Sequence, residues 1–373
     1  MSLDKVVRET LRQVGRKLVA GGAVVVLSVA SVAAMADAPK LSDILDASGI
    51  TESGYVAASY YHSNGYNTFH EFDVDHDTFQ LDQAALTLAY QPKDGFGALV
   101  NVAAGEDMRI LNEAEGGTDQ TFDIIQGFVQ YVGGPITVIG GKFVTLAGAE
   151  VIAPTGNTNF SRSFLFYSEP LTHTGIRGTY AVSDQLSLIA GVNNGWNTTS
   201  TSYGSKTAEL GAAFTPVKQL VLNLSGYFGK VPGYNAERSF VDFVGTYNFT
   251  DALSFVLSYD WGEQQQSVGP NLDWNGVAGY VNYAFNDKWR LSVRAEYLDD
   301  KDGFVTGTPQ NLRDGTVTFG FSPAKNFELR IEGRYDKASQ STFVRTISVG
   351  SPVPAETFAD NQTEFSLQGV YKF

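Results

Sequence analysis

A dense group of potential metal ligands lies early in the chain. It consists of His70, Glu71, Asp73, Asp75, His76 and Asp77. The acidic spacing is close to the start of a calcium-binding loop, but Thr78 stands where such a loop needs Gly and Ala84 where it needs a bidentate Glu. Two interpretations stay open, a looser divalent-cation site and a solvated acidic loop. We assign no metal from the sequence.

Nucleophilic catalysis would need a His that is held by a second polar group beside the nucleophile. The chain has four His residues, and His62, His70 and His76 fall in one short polar segment while His173 stands alone. No Gly-x-Ser-x-Gly motif accompanies them. We therefore predict that the protein is not an enzyme and that His173 makes a structural hydrogen bond. No cofactor is implied.

Charges in the middle of alternating segments form a second candidate site. From 289 to 297 and from 327 to 335, apolar and polar residues alternate, which places them on opposite faces of β-strands. The apolar faces end in aromatic residues, as at a membrane interface, and paired mid-strand charges suit a water-filled interior. The residues predicted to line that interior are Lys142, Arg290, Arg294, Glu328, Arg330, Glu332 and Arg334.

Alternation recurs along most of the chain and predicts sixteen strands. They span 52–62, 78–91, 96–106, 121–132, 136–144, 172–182, 185–194, 206–215, 219–228, 238–249, 252–262, 273–285, 288–298, 313–322, 326–336 and 361–373. Short turns alternate with long polar loops, which is typical of a transmembrane antiparallel up-and-down β-barrel. The predicted fold class is therefore all-β, and a barrel of about this size encloses water. A phase change between 79–81 and 86–88 predicts a β-bulge.

The N-terminal region has the features of an export signal. Basic residues between Lys5 and Lys17 precede an uncharged stretch, and Ala34 and Ala36 suit cleavage before Asp37. We predict a signal peptide over 1–36, a short lead over 37–51 and the barrel over 52–373. The formal net charge of −14 argues against nucleic acid as a partner. The predicted location is the bacterial outer membrane, with its lipid and lipopolysaccharide as surroundings, and the looser cation site of the first loop would bridge to lipopolysaccharide phosphates.

The last strand carries an aromatic face that ends at the terminal residue. Its members are Phe365, Leu367, Tyr371 and Phe373. A terminal Phe with an aromatic residue two positions earlier resembles the signal by which outer-membrane proteins reach the barrel-assembly machinery. That machinery is therefore a predicted partner.

The third outer loop, residues 145–171, is less polar than the others and is expected to fold toward the lumen. Charges of this loop and of the following strand are candidates for a pore constriction: Glu150, Arg162, Glu169, His173 and Arg177. The alternative is a loop that covers the barrel mouth or contacts a neighbouring subunit.

Several motifs around this loop resemble one known family. Gly141-Lys142-Phe143, Gly148 to Ile152, Asn159 to Ser163 and Pro170 to Arg177 are similar to the central motif of the OmpL-like β-barrel porin-2 family. Residues 79–84 resemble an early strand of that family, and the resemblance covers about 50–373. It implies an outer-membrane channel and assigns no catalytic or ligand residue.

The predicted function is passive diffusion of small hydrophilic solutes or ions through a water-filled barrel, with the lumen charges as the filter. The alternative is a plugged or narrow barrel that serves as a structural or adhesive surface protein. A monomer and a homotrimer are both compatible with the sequence, because an apolar outer wall suits lipid and a neighbouring subunit equally.

Overall fold

The computed structural model describes residues 47–234, 236–348 and 355–373. The predicted signal peptide lies outside these residues. Sixteen of the described strands form one closed barrel, in which each strand pairs antiparallel with its two neighbours. Among the described residues, no helix is long and apolar enough to span a membrane.

The barrel strands follow one another around the ring in chain order. They are β1 Thr51–Ser63, β2 Thr78–Tyr90, β3 Gly95–Ala104, β4 Phe122–Gly133, β5 Ile136–Val144, β6 Thr172–Ala181, β7 Leu186–Asn193, β8 Thr207–Val217, β9 Leu220–Lys230, β10 Glu237–Asn248, β11 Leu253–Gln264, β12 Leu272–Ala284, β13 Trp289–Asp300, β14 Gln310–Ala324, β15 Phe327–Ala338 and β18 Asn361–Lys372. The prediction of an all-β barrel with sixteen strands is confirmed.

The ring closes between the first and last strands. Phe373 N donates to Gly54 O at 2.9 Å, and Gly54 N donates to Phe373 O at 3.0 Å. A Cβ atom at Gly54 would lie 2.4 Å from the Phe373 ring, so only Gly leaves room for the terminal aromatic side chain. The terminal residue is thus part of the seam.

The two faces of the wall have opposite character, as the alternation predicts. On β15, Leu329, Ile331 and Tyr335 point away from the packed interior and are exposed, while Arg330 and Arg334 are buried. Hydrocarbon solvates the apolar face, and the polar face turns inward. The predicted bulge is confirmed in β2, where the register with β1 shifts at Ala57 and Ala58.

The long loops contain structure that periodicity did not predict. Helix α1 spans Glu106–Ala114, a 3₁₀ turn spans Pro154–Gly156 and helix α2 spans Phe164–Tyr167. A hairpin of β16 Phe343–Ser348 and β17 Ala355–Ala359 lies between β15 and β18. These short elements fold inside loops, where a sequence window holds too few residues to show a period.

The facing assignment can be tested at the centre of β15. Ile331→Arg should destabilise the barrel by about 2–4 kcal/mol, because it places a charge on the apolar band near the membrane midplane. The matched control, Ile331→Val, should cost less than about 1.5 kcal/mol. Urea unfolding titrations in lipid vesicles measure both, and equal tolerance of the two substitutions would contradict the assignment.

Candidate functional site

The third outer loop, residues 145–171, is tied together by its own polar side chains. Arg162 donates to three backbone carbonyls of the loop, those of Val151, Ile152 and Phe160, at 3.1, 3.0 and 2.6 Å. Asn157 bonds to both the N–H and the C=O of Val151. The buried guanidinium of Arg162 therefore shapes the loop, and its predicted role at a constriction remains a prediction.

Carboxylates of the barrel wall accept hydrogen bonds from the backbone of this loop. Glu332 accepts from the N–H groups of Phe160 and Ser161 at 2.6 and 2.9 Å. Glu296 accepts from Phe164 N at 2.9 Å, at the start of α2. The backbone donors that precede and begin the short helix are thus satisfied by acidic side chains, as helix N-termini favour.

The loop also reaches opposite sides of the ring. Gly148 N donates to Asp242 on β10 at 3.0 Å, and Ile152 O accepts from Gln83 on β2 at 3.0 Å. In the closed order of strands, β2 and β10 are eight positions apart. One loop therefore bonds to facing walls of the barrel.

Arg294 is the centre of an ion-pair network beneath the loop. Its guanidinium is fully buried and lies 2.8 Å from Asp314 and 3.0 Å from Glu150. It also donates to Ser161 O at 2.8 Å. Arg334 extends the network, 3.2 Å from Asp314. The structure thus brings together predicted charges of the wall and of the loop.

The other predicted wall charges are also paired. Glu328 bridges Arg290 and Arg330 at 2.6 and 2.8 Å. Lys142 lies on the opposite side of the ring, between Glu115 and Asp123, and its Nζ is 2.7 and 2.8 Å from their carboxylates. These charges form local pairs, and their predicted role as a filter is not decided by the pairing.

The remaining predicted constriction residues occupy separate positions. Arg177 pairs with Glu209 at 2.5 Å. The ring of His173 forms a hydrogen bond with Gly195 O at 3.1 Å, which is a structural contact of the predicted kind. The same ring stacks on that of Tyr227. Glu169 is buried, and burial followed by the charges of Asp260 and Asp242 raises its pKa well above the ordinary value.

Three acidic residues of the barrel wall near the loop were not predicted as site residues. Asp242, Asp260 and Asp314 are all buried on the inner face of their strands. The sequence did contain one signal for them, because the alternation pattern places each of these residues on the polar face of its strand. Which of these positions lies beneath the loop depends on the loop conformation, and alternation carries no information on that.

The metal-ligand group of the first outer loop, residues 64–77, divides into two parts. His62 and His76 flank the exposed Asp77. His70 is buried between Asp73 and Asp336, with ring nitrogens 2.6 and 2.9 Å from their carboxylates. Burial and Arg334 lower the pKa of His70, but the two carboxylates outweigh them and raise it to about 9. The buried part attracts positive charge.

A closed barrel of sixteen strands with an apolar outer face and a polar inner face is an outer-membrane porin-type barrel. Residues 47–373 match the family described as β-barrel porin-2, OmpL-like, and the chain belongs to that family. The resemblance inferred from the sequence is confirmed. A search of curated proteins finds no match.

Solved outer-membrane proteins share the fold at low sequence identity. The anion-selective porin from Comamonas acidovorans has a TM-score of 0.60 and 11% identity over 87% of this chain and 99% of that one. The outer-membrane channel DcaP of Acinetobacter baumannii has a TM-score of 0.58 and 10% identity over 87% of this chain and 97% of that one. A trimer form of OmpT from Vibrio cholerae has a TM-score of 0.56 and 13% identity over 87% of this chain and 99% of that one. At this identity the likeness shows the fold alone.

The ion-pair network can be tested at its centre. Arg294→Met should destabilise the barrel by about 3–5 kcal/mol, because it leaves Glu150, Asp314 and Glu296 buried without their shared cation. The exposed Arg313→Met is the matched control and should stay within about 0.5 kcal/mol of the wild type. Unfolding titrations measure the change. Limited trypsin digestion should also cut after Arg162 in the Arg294 variant only, and an uncut loop would contradict the role of the network.

Proposed function

We propose that the protein is a porin-type channel through which small hydrophilic solutes or ions diffuse passively across the outer membrane, and that it is not an enzyme. The observation that carries the proposal is the set of hydrogen bonds from loop 145–171 to the facing strands β2 and β10. A loop bonded to both walls lies across the bore and narrows it. A sixteen-strand barrel is wide enough for water to remain beside such a loop.

The open path is proposed to follow the wall from β7 to β9. Small inward residues occupy this wall, including Gly191, Gly211 and Ala213, and the last two face Ser225 and Asn223 on the next strand. The wall from β13 to β15 instead carries the buried charges that bind the loop. The space at Gly211 is filled by Ile189 and by Leu146 of the loop, whereas Ala213 and Asn223 are only partly buried, so solutes would pass along the Ala213 end of this wall.

The constriction is proposed to lie where the loop approaches this wall. Arg177 and Glu209 face it as an ion pair, and Leu146 of the loop lies close to Gly211. Glu150 and Arg162 are held within the loop and its network, so they would act through the loop position.

A weak cation preference is proposed for the channel. Glu169 lies beside Asp242 and Asp260, and within the described part of the chain no basic side chain pairs with any of these three. Most other inner-wall charges are balanced by a partner. Because the pKa of Glu169 is raised well above its ordinary value, protons held within this group of carboxyls remove part of its negative charge, and the expected cation preference is therefore weak.

The remaining assignments are part of the same proposal. Residues 1–36 act as a cleaved signal, and the aromatic face that ends at Phe373 is recognised by the barrel-assembly machinery. The barrel is surrounded by outer-membrane lipid and lipopolysaccharide. A homotrimer is consistent with the trimer form of the OmpT neighbour.

A plugged barrel is the second candidate function, and one observation favours it. An apolar cluster at the long-loop end fully buries Phe240, Trp274 and Phe343 together with Phe164 of the third loop. Aromatic side chains packed between loops would close part of the mouth. In that case the barrel would act as a structural or adhesive surface protein.

Cysteine labelling distinguishes a channel from a plug, since the chain contains no Cys. In planar bilayers, a charged thiol reagent should lower the conductance of Ala213→Cys, which faces the proposed path. The neighbouring Ala212→Cys pairs with Leu188 and Leu224 on the outer face and should not respond. Absence of single-channel steps in the wild type, or equal responses of both variants, would contradict the proposed channel.

A further inference from the structure

The first outer loop and barrel strand β18 bring three metal-ligand side chains together. The ligand atoms of His70, Asp73 and Glu364 all lie within 4.8 Å of one another. All three side chains are buried. Neither the porin fold nor the proposed diffusion path requires this cluster, because it joins loop 64–77 to β18 on the side of the ring away from β7–β9.

The orientation of the imidazole suits metal binding. His70 Nε2 lies 2.9 Å from Asp336 Oδ2. A carboxylate that accepts the proton of one ring nitrogen leaves the other nitrogen free as a ligand, an arrangement common at histidine–metal sites. Here the other nitrogen, Nδ1, lies 2.6 Å from Asp73 and 3.7 Å from Glu364.

Two buried acceptors at the cluster have no hydrogen-bond donor. They are Asp73 Oδ1 and Asn67 Oδ1. The amide nitrogen of Asn67 donates to Asp73 O at 2.7 Å and to Glu364, so Asn67 helps to hold these two residues in place. A buried oxygen without a partner is costly, and a cation bound at the cluster would satisfy Asp73 Oδ1.

The charges around the cluster also favour a cation. Asp73, Asp336 and Glu364 contribute three carboxylates. The nearby Arg334 is shared, because it lies 2.8 Å from Asp336 and 3.2 Å from Asp314. A metal ion would displace the second proton of the imidazole, and the three carboxylates would then leave a negative charge that a divalent ion balances.

We propose that His70, Asp73 and Glu364 bind one divalent transition-metal ion of the zinc class. One imidazole nitrogen and two carboxylate oxygens, with a fourth position for water, match the ligands of a four-coordinate zinc site. Calcium takes six to eight oxygens, more than this cluster supplies. The ion would fasten the first outer loop to β18 inside the barrel.

Zinc titration of the purified protein tests the site. The protein is prepared without a histidine tag, stripped with chelator and titrated in detergent by calorimetry. One zinc ion should bind per chain, and His70→Gln and Asp73→Asn should each weaken binding by more than about tenfold, because even the outer partners of a metal site are worth about 10–100-fold. His76→Gln, an exposed imidazole of the same loop, is the matched control and should bind as the wild type does.

Several outcomes would overturn the proposal. These are no zinc binding by the wild type, binding by His70→Gln as tight as that of the wild type, or a loss in His76→Gln as large as that in the ligand variants. In each case, a doubly hydrogen-bonded His70 imidazolium would hold the loop instead of a metal ion. Binding of calcium with equal affinity would overturn the metal class. If neither ligand variant folds, as judged by heat-modified gel mobility, cobalt absorption of the wild type decides. Bands of a four-coordinate site that zinc removes would support the proposal, and their absence would overturn it.

Discussion

The structure depends on one constraint: backbone N–H and C=O groups must be paired wherever hydrocarbon excludes water. Helices satisfy this constraint within one segment, whereas strands satisfy it only when the sheet has no edge. Here the last strand pairs with both β1 and β15. The hydrogen bonds between Phe373 and Gly54 complete the seam, and the fold therefore involves the chain up to its final residue.

Closure of the barrel gives the two faces of the wall different surroundings, lipid outside and a polar interior inside. The charged side chains lie on the inner face because burying them in lipid would be costly. Many of these charged side chains are buried and are not exposed to water in the lumen. They bind the backbone of the third outer loop, as Glu296 and Glu332 do, or form buried networks such as the one around Arg294. Buried ion pairs add little stability over apolar packing, but loss of one partner is costly. Such networks therefore define one loop position better than they strengthen the barrel.

Because a buried polar group without a partner is costly, the buried groups that lack one indicate where a ligand could bind. Most acidic side chains beneath the loop accept from an arginine or a backbone N–H, whereas among the described residues Asp260 has only the carboxyls of Glu169 and Asp242 as side-chain partners. In the first outer loop, Asp73 and Asn67 each have one buried side-chain oxygen without a hydrogen-bond donor, and Asp73 contacts His70. These positions lie where the inner wall meets loops, and they are the places where solutes or ions would have a physical reason to bind.

The sequence by itself determined the barrel, because a strand wall with lipid outside and polar groups inside must alternate at every second residue. It predicted sixteen strands, the bulge in β2 and the inward position of Arg294 and Arg334. It did not determine the partners of these residues. Arg162 bonds to its own loop, which depends on the path of loop 145–171, and Asp314 joins Arg294 to Arg334, which depends on the register of three neighbouring strands. Residues distant in sequence, such as His70 and Glu364, meet only because closure places β18 beside β1. Periodicity reports which face a side chain occupies, and only the tertiary structure decides what lies opposite that face.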